Sequence, residues 1–259
     1  AKITAAIAKE AGADAITVSA SHNYAVSRAL LSSWMPMVPN KLLPLAAAIR
    51  KAVDLPVITV GRVDPEAAEQ AIANGELDFL AQGRKQIADD KFAIHLAEGG
   101  KKAVRPCIFC IQCLSQSMMG LPLRCAVNAD VGYEKDNLLA PTNEPRHVVV
   151  VGGGPGGMET ARRLTLRGHR VTLLEASSQL GGTARIAAIA YAPNGNFVEW
   201  LKEQLDNLNV DVRLATRANL EIIRELQPDA VVVATGAIRR ASEIPGKDLP
   251  HVHDAASLR

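Results

Sequence analysis

The hexapeptide Gly152-Gly153-Gly154-Pro155-Gly156-Gly157 restricts what this chain can become more than any other stretch of its 259 residues. Gly152, Gly154 and Gly157 satisfy G-x-G-x-x-G. The run sits between an apolar segment, His147 to Val151, and a segment of helical character from Gly156 to Arg167 that Gly168 stops. A dinucleotide-binding turn needs this order: one glycine for the tight turn, one for the approach of the backbone to a pyrophosphate, one for close helix–strand packing. Pro155 and Gly156 then open a helix whose positive end would meet the phosphates. Glu175 closes the next apolar run at about the 20-residue spacing of an acid that binds ribose hydroxyls. Motif, strand, helix and acid together predict an adenine-dinucleotide site; a glycine-rich structural turn would need none of the other three.

The rest of the chain repeats the same grammar. A helix over Phe197 to Leu208 and strands over Val210 to Leu214 and Ala230 to Ala234 complete a second α/β domain. Before it, helices over Ile3 to Ala11 and Lys41 to Ala52 precede strands over Ala15 to Val18 and Val57 to Val60. Asp64, with Pro65 and Glu66 behind it, reads as the cap of a third helix ending at Gly75, followed by a strand over Asp78 to Ala81 and a helix over Phe92 to Glu98. Apolar strands alternating with helices imply βαβ units and parallel sheets. Three such strands cannot close an eight-stranded barrel. With an abrupt start inside a helix, they read as the tail of a barrel, with Ile16, Val18, Val57, Thr59, Phe79 and Ala81 expected on its inner face.

Between Arg105 and Pro145 the periodicity disappears, and all four cysteines lie there, as Cys107-x2-Cys110-x2-Cys113-x11-Cys125. Three thiolates at short spacing wrap one face of a compact inorganic core while a fourth arrives from a loop, the pattern of a four-cysteine iron–sulfur site. Zinc is the rival, although its structural sites usually take ligands as two separated pairs. Unligated cysteines are the third reading.

Two resemblances narrow these readings. Leu180-Gly181-Gly182 follows the acid, and the last strand runs into Ala234-Thr235-Gly236; this arrangement resembles the two-dinucleotide flavoprotein reductases, where the first glycine motif binds the ADP part of FAD. Gly182, Thr235 and Gly236 are thereby expected near the cofactor. Arg105-Pro106-Cys107-Ile108-Phe109-Cys110, then Cys125-Ala126-Val127-Asn128, then the glycine motif, resemble the NADH:flavin oxidoreductase family typified by 2,4-dienoyl-CoA reductase and trimethylamine dehydrogenase. Upstream, Ile58 to Glu66 and Asp78 to Arg84 resemble its seventh and eighth barrel strands. The family usually has three residues between the second and third cysteines; here there are two.

The resemblance implies three parts: residues 1–103 as the end of an FMN-binding (β/α)8 barrel, 104–145 as a [4Fe–4S] segment and linker, and 146–259 as an incomplete FAD/NAD(P)-binding Rossmann-like domain. It implies that Gly61 and Gly83 receive the FMN phosphate while Arg62 and Arg84 neutralise phosphate or flavin ring. His22 and Tyr24, which follow the first strand, would face the active-site end and could position a substrate or supply a proton, with a structural role as the alternative. The implied activity carries electrons from NAD(P)H through FAD and the cluster to FMN and an enoyl substrate. An amine dehydrogenase running the other way and an electron-transfer module without its own substrate site are the alternatives. The second G-x-G-x-x-G of the family, for NAD(P)H, does not occur in the chain, which therefore reads as truncated at both ends.

The charge balance of 29 basic to 27 acidic residues, net +2, points to a small-molecule substrate, an unsaturated carbonyl or an amine, and not to nucleic acid. No apolar run approaches the roughly 20 residues of a membrane span, and no secretory leader is visible; with cysteines clustered for metal, the expectation is a cytoplasmic protein.

Overall fold

A computed structural model describes residues 1–19, 39–136, 139–237, 244–247 and 249–253. The chain folds into two compact units: Ala1–Ala93 with Phe109–Ala129, and Ile94–Ile108 with Asp130–Arg259. Both are α/β.

In the first unit, three parallel strands, β1 (Ile16–Val18), β2 (Val57–Val60) and β3 (Phe79–Ala81), pair in the order β1-β2-β3. Helices α1 (Lys2–Glu10), α2 (Leu43–Arg50) and α3 (Pro65–Ala73) each precede a strand, the alternation of a βαβ series with a parallel sheet. Gly12 and Gly75 follow α1 and α3 with φ of +92° and +70°, conformations that cost glycine little. Two short helices, α4 (Arg84–Ala88) and α5 (Phe92–Ala103), come after β3, and the division between the units falls within α5.

The strands match their expected positions, but the expected inner face does not. Ile16 pairs with Val57 and Val18 with Thr59, whereas Phe79 pairs with Ile58 and Ala81 with Val60. Phe79 and Ala81 are therefore one step out of phase with the other four, and a one-residue offset moves a side chain to the opposite face. Val18 and Val57 pack with Ala5, Ala46, Ile49, Val53, Ala71 and Leu77, so their face carries the helices. Phe79 is 58% exposed. Asp64 also departs from expectation. It precedes Pro65 as N-cap with extended backbone, yet its side chain makes no capping bond; its carboxylate lies 3.8 Å from Lys85 Nζ.

The cysteine-rich segment is not wholly irregular. It contains α6 (Gln112–Met118), and a 3-10 turn at Glu134–Asp136 follows in the second unit.

The second unit holds a four-stranded parallel sheet in the order β6-β5-β4-β7, with β4 at His147–Val151, β5 at Arg170–Leu174, β6 at Asp211–Arg213 and β7 at Ala230–Val233. This is one mononucleotide-binding half of the doubly wound arrangement, with the first strand central and the order reversing beside it. Val148, Val149, Val150, Val171, Leu173 and Leu174 are buried, as strands covered on both faces must be. Helix α7 (Pro155–Leu166) contributes Met158 and Ala161 to this core. Helix α9 (Pro193–Asn207) adds Phe197, Val198, Trp200, Leu201 and Leu205, and α8 (Gly182–Ala190) and α10 (Leu220–Leu226) complete the layers. A polar row crosses this apolar sheet: His147 Nε2 and Thr172 Oγ1 are 3.0 Å apart, and the Thr172 hydroxyl donates to Asp211 Oδ2 at 3.1 Å. Among the described residues, no helix is long and apolar enough to cross a membrane.

Candidate cofactor sites

The glycine loop stands at the carboxyl end of β4, where the strand order reverses and open α/β sheets take their ligands. Each glycine has a separate physical reason. Gly152 has φ +111°, and a Cβ there would strike the Ala234 carbonyl. A Cβ on Gly157 would strike the Gly152 carbonyl, so α7 can approach β4 closely only without one. Gly154, the N-cap of α7, has φ −73° and nothing within 4 Å of a Cβ position, and Gly156 is equally open. No neighbour in the protein explains glycine at 154. A ligand pressed against the backbone would. Pro155 occupies the first turn of α7, where its missing N–H costs nothing.

Glu175, just past β5, turns toward this loop. Its Oε2 accepts from the Gly153 N–H at 2.6 Å and its Oε1 from the Ser177 N–H and hydroxyl, both at 2.8 Å. Burial works against its charge, but these bonds and the neighbouring Arg185 outweigh it and hold the carboxyl below the ordinary carboxylate range. Gly182 lies against the same loop: its Cβ position is 3.2 Å from the Gly154 Cα, and the Gly181 N–H donates to the Gly153 carbonyl at 2.7 Å. Thr235 closes the opposite side, its Cα 3.1 Å from the Gly152 Cβ position, and Gly236 follows with φ +78°. Gly153 and Ser177 were missed by the motif reading, although Glu175-x-Ser177 is a visible signal for a carboxylate bound back to its own loop. The open space before Gly154 and the ionised acid beside it fit the ADP end of a dinucleotide.

In the first unit the parallel strands bring Gly61-Arg62 and Gly83-Arg84 to the same, carboxyl end of the sheet. Their loops are cross-braced: Gln82 Nε2 and Lys85 Nζ both donate to the Val63 carbonyl, at 2.8 and 2.7 Å. Asn40, unforeseen in the sequence, accepts from the Asp64 N–H at 2.8 Å and donates its own N–H to the Arg62 carbonyl at 2.9 Å. A Cβ on Gly61, at φ +113°, would meet Leu42, whereas that of Gly83 faces open space. The two guanidiniums do not diverge into solvent. Arg62 lies 4.2 Å and Arg84 5.4 Å from the centre of the Phe109 ring.

Cys110, Cys113 and Cys125 belong to this first unit and Cys107 to the second. Burial pushes the Cys125 thiol above its ordinary value; hydrogen bonds from the Val127 and Asn128 backbone oppose that, and the negative potential of Cys110 and Cys113 adds to it. Among the described residues, no three His, Cys, Asp or Glu side chains are drawn together closely enough to hold a single metal ion. Asn128 Nδ2 donates to the Ile87 carbonyl at 3.1 Å, fixing the segment after Cys125 to α4. Ahead of Cys107, in the second unit, Arg105 stacks over Trp200 at 4.9 Å and lies 3.9 Å from Glu159. His22 and Tyr24 lie outside the described residues.

Residues 126–224 and 148–258 match the family described as pyridine nucleotide-disulphide oxidoreductase. Bilirubin reductase of Mediterraneibacter gnavus is 37% identical over 80% of this chain and 33% of its own length. N,N-dimethylglycine/sarcosine dehydrogenase of Chromohalobacter salexigens is 38% identical over 82% of this chain and 31% of its own. A solved 2-naphthoyl-CoA reductase, in complex with 2-naphthoyl-CoA, superposes with a TM-score of 0.90 at 28% identity, covering 99% of this chain and 40% of that one. The chain thus spans about a third of the length of the curated relatives it matches. With the two matched segments together reaching over about half of its length, the chain belongs to the pyridine nucleotide-disulphide oxidoreductase family, and its relatives are of the 2,4-dienoyl-CoA reductase and trimethylamine dehydrogenase type.

Proposed function

We propose that this chain is the cofactor-carrying part of an NAD(P)H-dependent flavin and iron–sulfur oxidoreductase that reduces an unsaturated carbon–carbon bond. The observation that carries the reading is Gly154: a helix N-cap whose missing side chain leaves space, beside an ionised Glu175. When bound, the nicotinamide, the flavins and the cluster supply the hydride and single-electron chemistry, from NAD(P)H through FAD and a [4Fe–4S] cluster to FMN and the substrate. The chain's own residues bind and orient. Gly152, Gly154, Pro155, Gly156 and Gly157 present backbone N–H groups to a pyrophosphate, Glu175 meets ribose hydroxyls, and Gly182, Thr235 and Gly236 border the cradle. Gly61, Arg62, Gly83 and Arg84 take the FMN phosphate. Cys107, Cys110, Cys113 and Cys125 ligate the cluster by their spacing, and a four-iron cluster holds its thiolates farther apart than one ion does. His22 and Tyr24 are proposed to position the substrate or supply its proton.

The relative named as a dimethylglycine/sarcosine dehydrogenase supports a second reading, in which an amine is oxidised and electrons run the other way. FAD titration tests the dinucleotide site shared by both. Gly154→Val fills the space left for the pyrophosphate and should abolish FAD binding. Glu175→Ala removes hydrogen bonds worth about 1.5–3 kcal/mol and should weaken it roughly ten- to hundredfold. Unchanged affinity in both variants would falsify the site. Stoichiometric zinc without acid-labile sulfide in anaerobically purified protein would remove the cluster from the proposal.

A further inference from the structure

Arg185 stands where helix electrostatics would favour an acid. It lies in the first turn of α8, and neither α7 nor α8 has an acidic residue in its first turn. The N-terminal end of a helix carries a partial positive charge, so a cation there is unfavourable unless an anion joins it. The two N-termini also lie together. The Gly182 Cβ position is 3.2 Å from the Gly154 Cα, and the Gly181 N–H donates to the Gly153 carbonyl at 2.7 Å. Two positive helix ends and a guanidinium side chain thus gather at one glycine loop.

Helical side chains lean toward the N-terminus of their helix, and Arg185 does so. Its Cγ and Cδ lie 2.7 and 3.1 Å from the point that a Gly181 Cβ would occupy, so the stem folds back over the residue that precedes the helix. The guanidinium is then close enough to act on Glu175. Burial opposes the charge of that carboxyl, while hydrogen bonds from Ser177 and Gly153, together with Arg185, favour it. Glu175 Oε2 accepts from the Gly153 N–H at 2.6 Å, one residue before the open N-cap Gly154. An ionised carboxylate therefore stands beside the place proposed for a diphosphate, and like charges at such range repel unless a cation lies near.

We propose that Arg185 is a further binding residue of the dinucleotide site: its guanidinium offsets the Glu175 carboxylate and draws a diphosphate to the Gly154 N-cap, so that the site selects ligands by the phosphates they carry. The inference rests on the dinucleotide reading above and extends it from the glycine loop to α8. A nucleoside offers Arg185 nothing to hold, whereas ADP carries the whole diphosphate.

The test is displacement of FAD, followed by flavin fluorescence, with ADP, AMP and adenosine as competing probes on the whole chain. Arg185→Gln should weaken ADP about tenfold and AMP by less, while adenosine stays within about twofold. Arg185→Lys, which keeps the charge, should recover most of the ADP affinity. Raising salt from about 0.05 to about 0.5 M should weaken ADP binding more in the wild type than in Arg185→Gln, because screening acts on the charge that the variant lacks. Equal losses for ADP and adenosine would make Arg185 a structural support of α8 and overturn the proposal. Undiminished ADP affinity in Arg185→Gln overturns it too and leaves the dinucleotide reading standing. A wild type that binds neither FAD nor ADP overturns both. If Arg185→Gln does not fold, a wild-type affinity for ADP no greater than that for adenosine decides against the proposal.

Discussion

The two units build their sites from opposite materials. In the second, the cradle is made by what is missing: Gly152 and Gly157 leave room for backbone, and Gly154 leaves room for a ligand. In the first, the proposed phosphate site depends on what projects: two arginines on short, braced loops. Both use the carboxyl ends of parallel strands, yet they should respond to substitution in opposite ways. Adding atoms ruins the one; removing them ruins the other.

The sharpest contrast is Gly157→Val against Arg84→Ala. A side chain at 157 meets the Gly152 carbonyl, so α7 must separate from β4 and the buried Met158 and Ala161 lose their packing. The expected loss is about 4 kcal/mol or more, read as a drop in the urea midpoint, with flavin binding lost as well. Arg84→Ala should leave that midpoint within about 1 kcal/mol. Equal losses would erase the distinction between the units.

Acid offers a smaller effect, confined to the second unit. Arg163 grips Asp130 with two hydrogen bonds of 2.8 and 2.7 Å, and this guanidinium holds the Asp130 carboxyl below the usual carboxylate range. Its folded-state pKa is thus below the unfolded value of about 3.9. The stabilisation is present above that pH and is lost as pH falls through the folded-state value. Asp130→Asn should cost about 1 kcal/mol at pH 7 and flatten the fall in stability below about pH 4, monitored by thermal unfolding from pH 7 to pH 3. A variant that loses stability in parallel with the parent would show that the pair carries none of it.

The smallest test compares two helix caps. Asn219 accepts from the Ile222 N–H at 2.9 Å at the start of α10, whereas the Asp64 side chain makes no such bond at α3. Asn219→Ala should cost about 1 kcal/mol and Asp64→Ala about half that, measured by denaturant titration.

The same residues show what could be read in advance. Strand β4 was legible residue for residue because four valines in a row after His147 admit one burial, and the glycine loop was legible because its spacing has a mechanism. Helix α6 was not, since Gln112–Met118 has no buried residue and hence no apolar stripe, and its N-cap Ile111 is left-handed. Helix α8 begins at Gly182, itself at φ +50°, where glycine reads as a breaker. The facing of β1 and β2 was misread, since the helices pack on the side of Ile16, Val18 and Val57, and short strands of mixed apolar residues do not reveal which side is covered. Phe109 was read as spacing between cysteines, since only the fold brings Arg62 and Arg84, 47 and 25 positions away, onto its ring.

The row of His147, Thr172 and Asp211 has a consequence for how the second sheet assembles. Valines and leucines stacked on valines and leucines are nearly degenerate under a two-residue slip, and parallel pairing, closed through long crossovers, forms slowly. The row breaks that degeneracy. If β5 advanced by two residues, the buried imidazole would face Leu174 in place of the Thr172 hydroxyl, leaving a polar group stranded at about 1–3 kcal/mol. Asp211 would lose the same hydroxyl. Three side chains on neighbouring strands thus act as an alignment mark: they reward one registry during folding and penalise the close alternatives, in a sheet whose apolar residues alone cannot tell them apart.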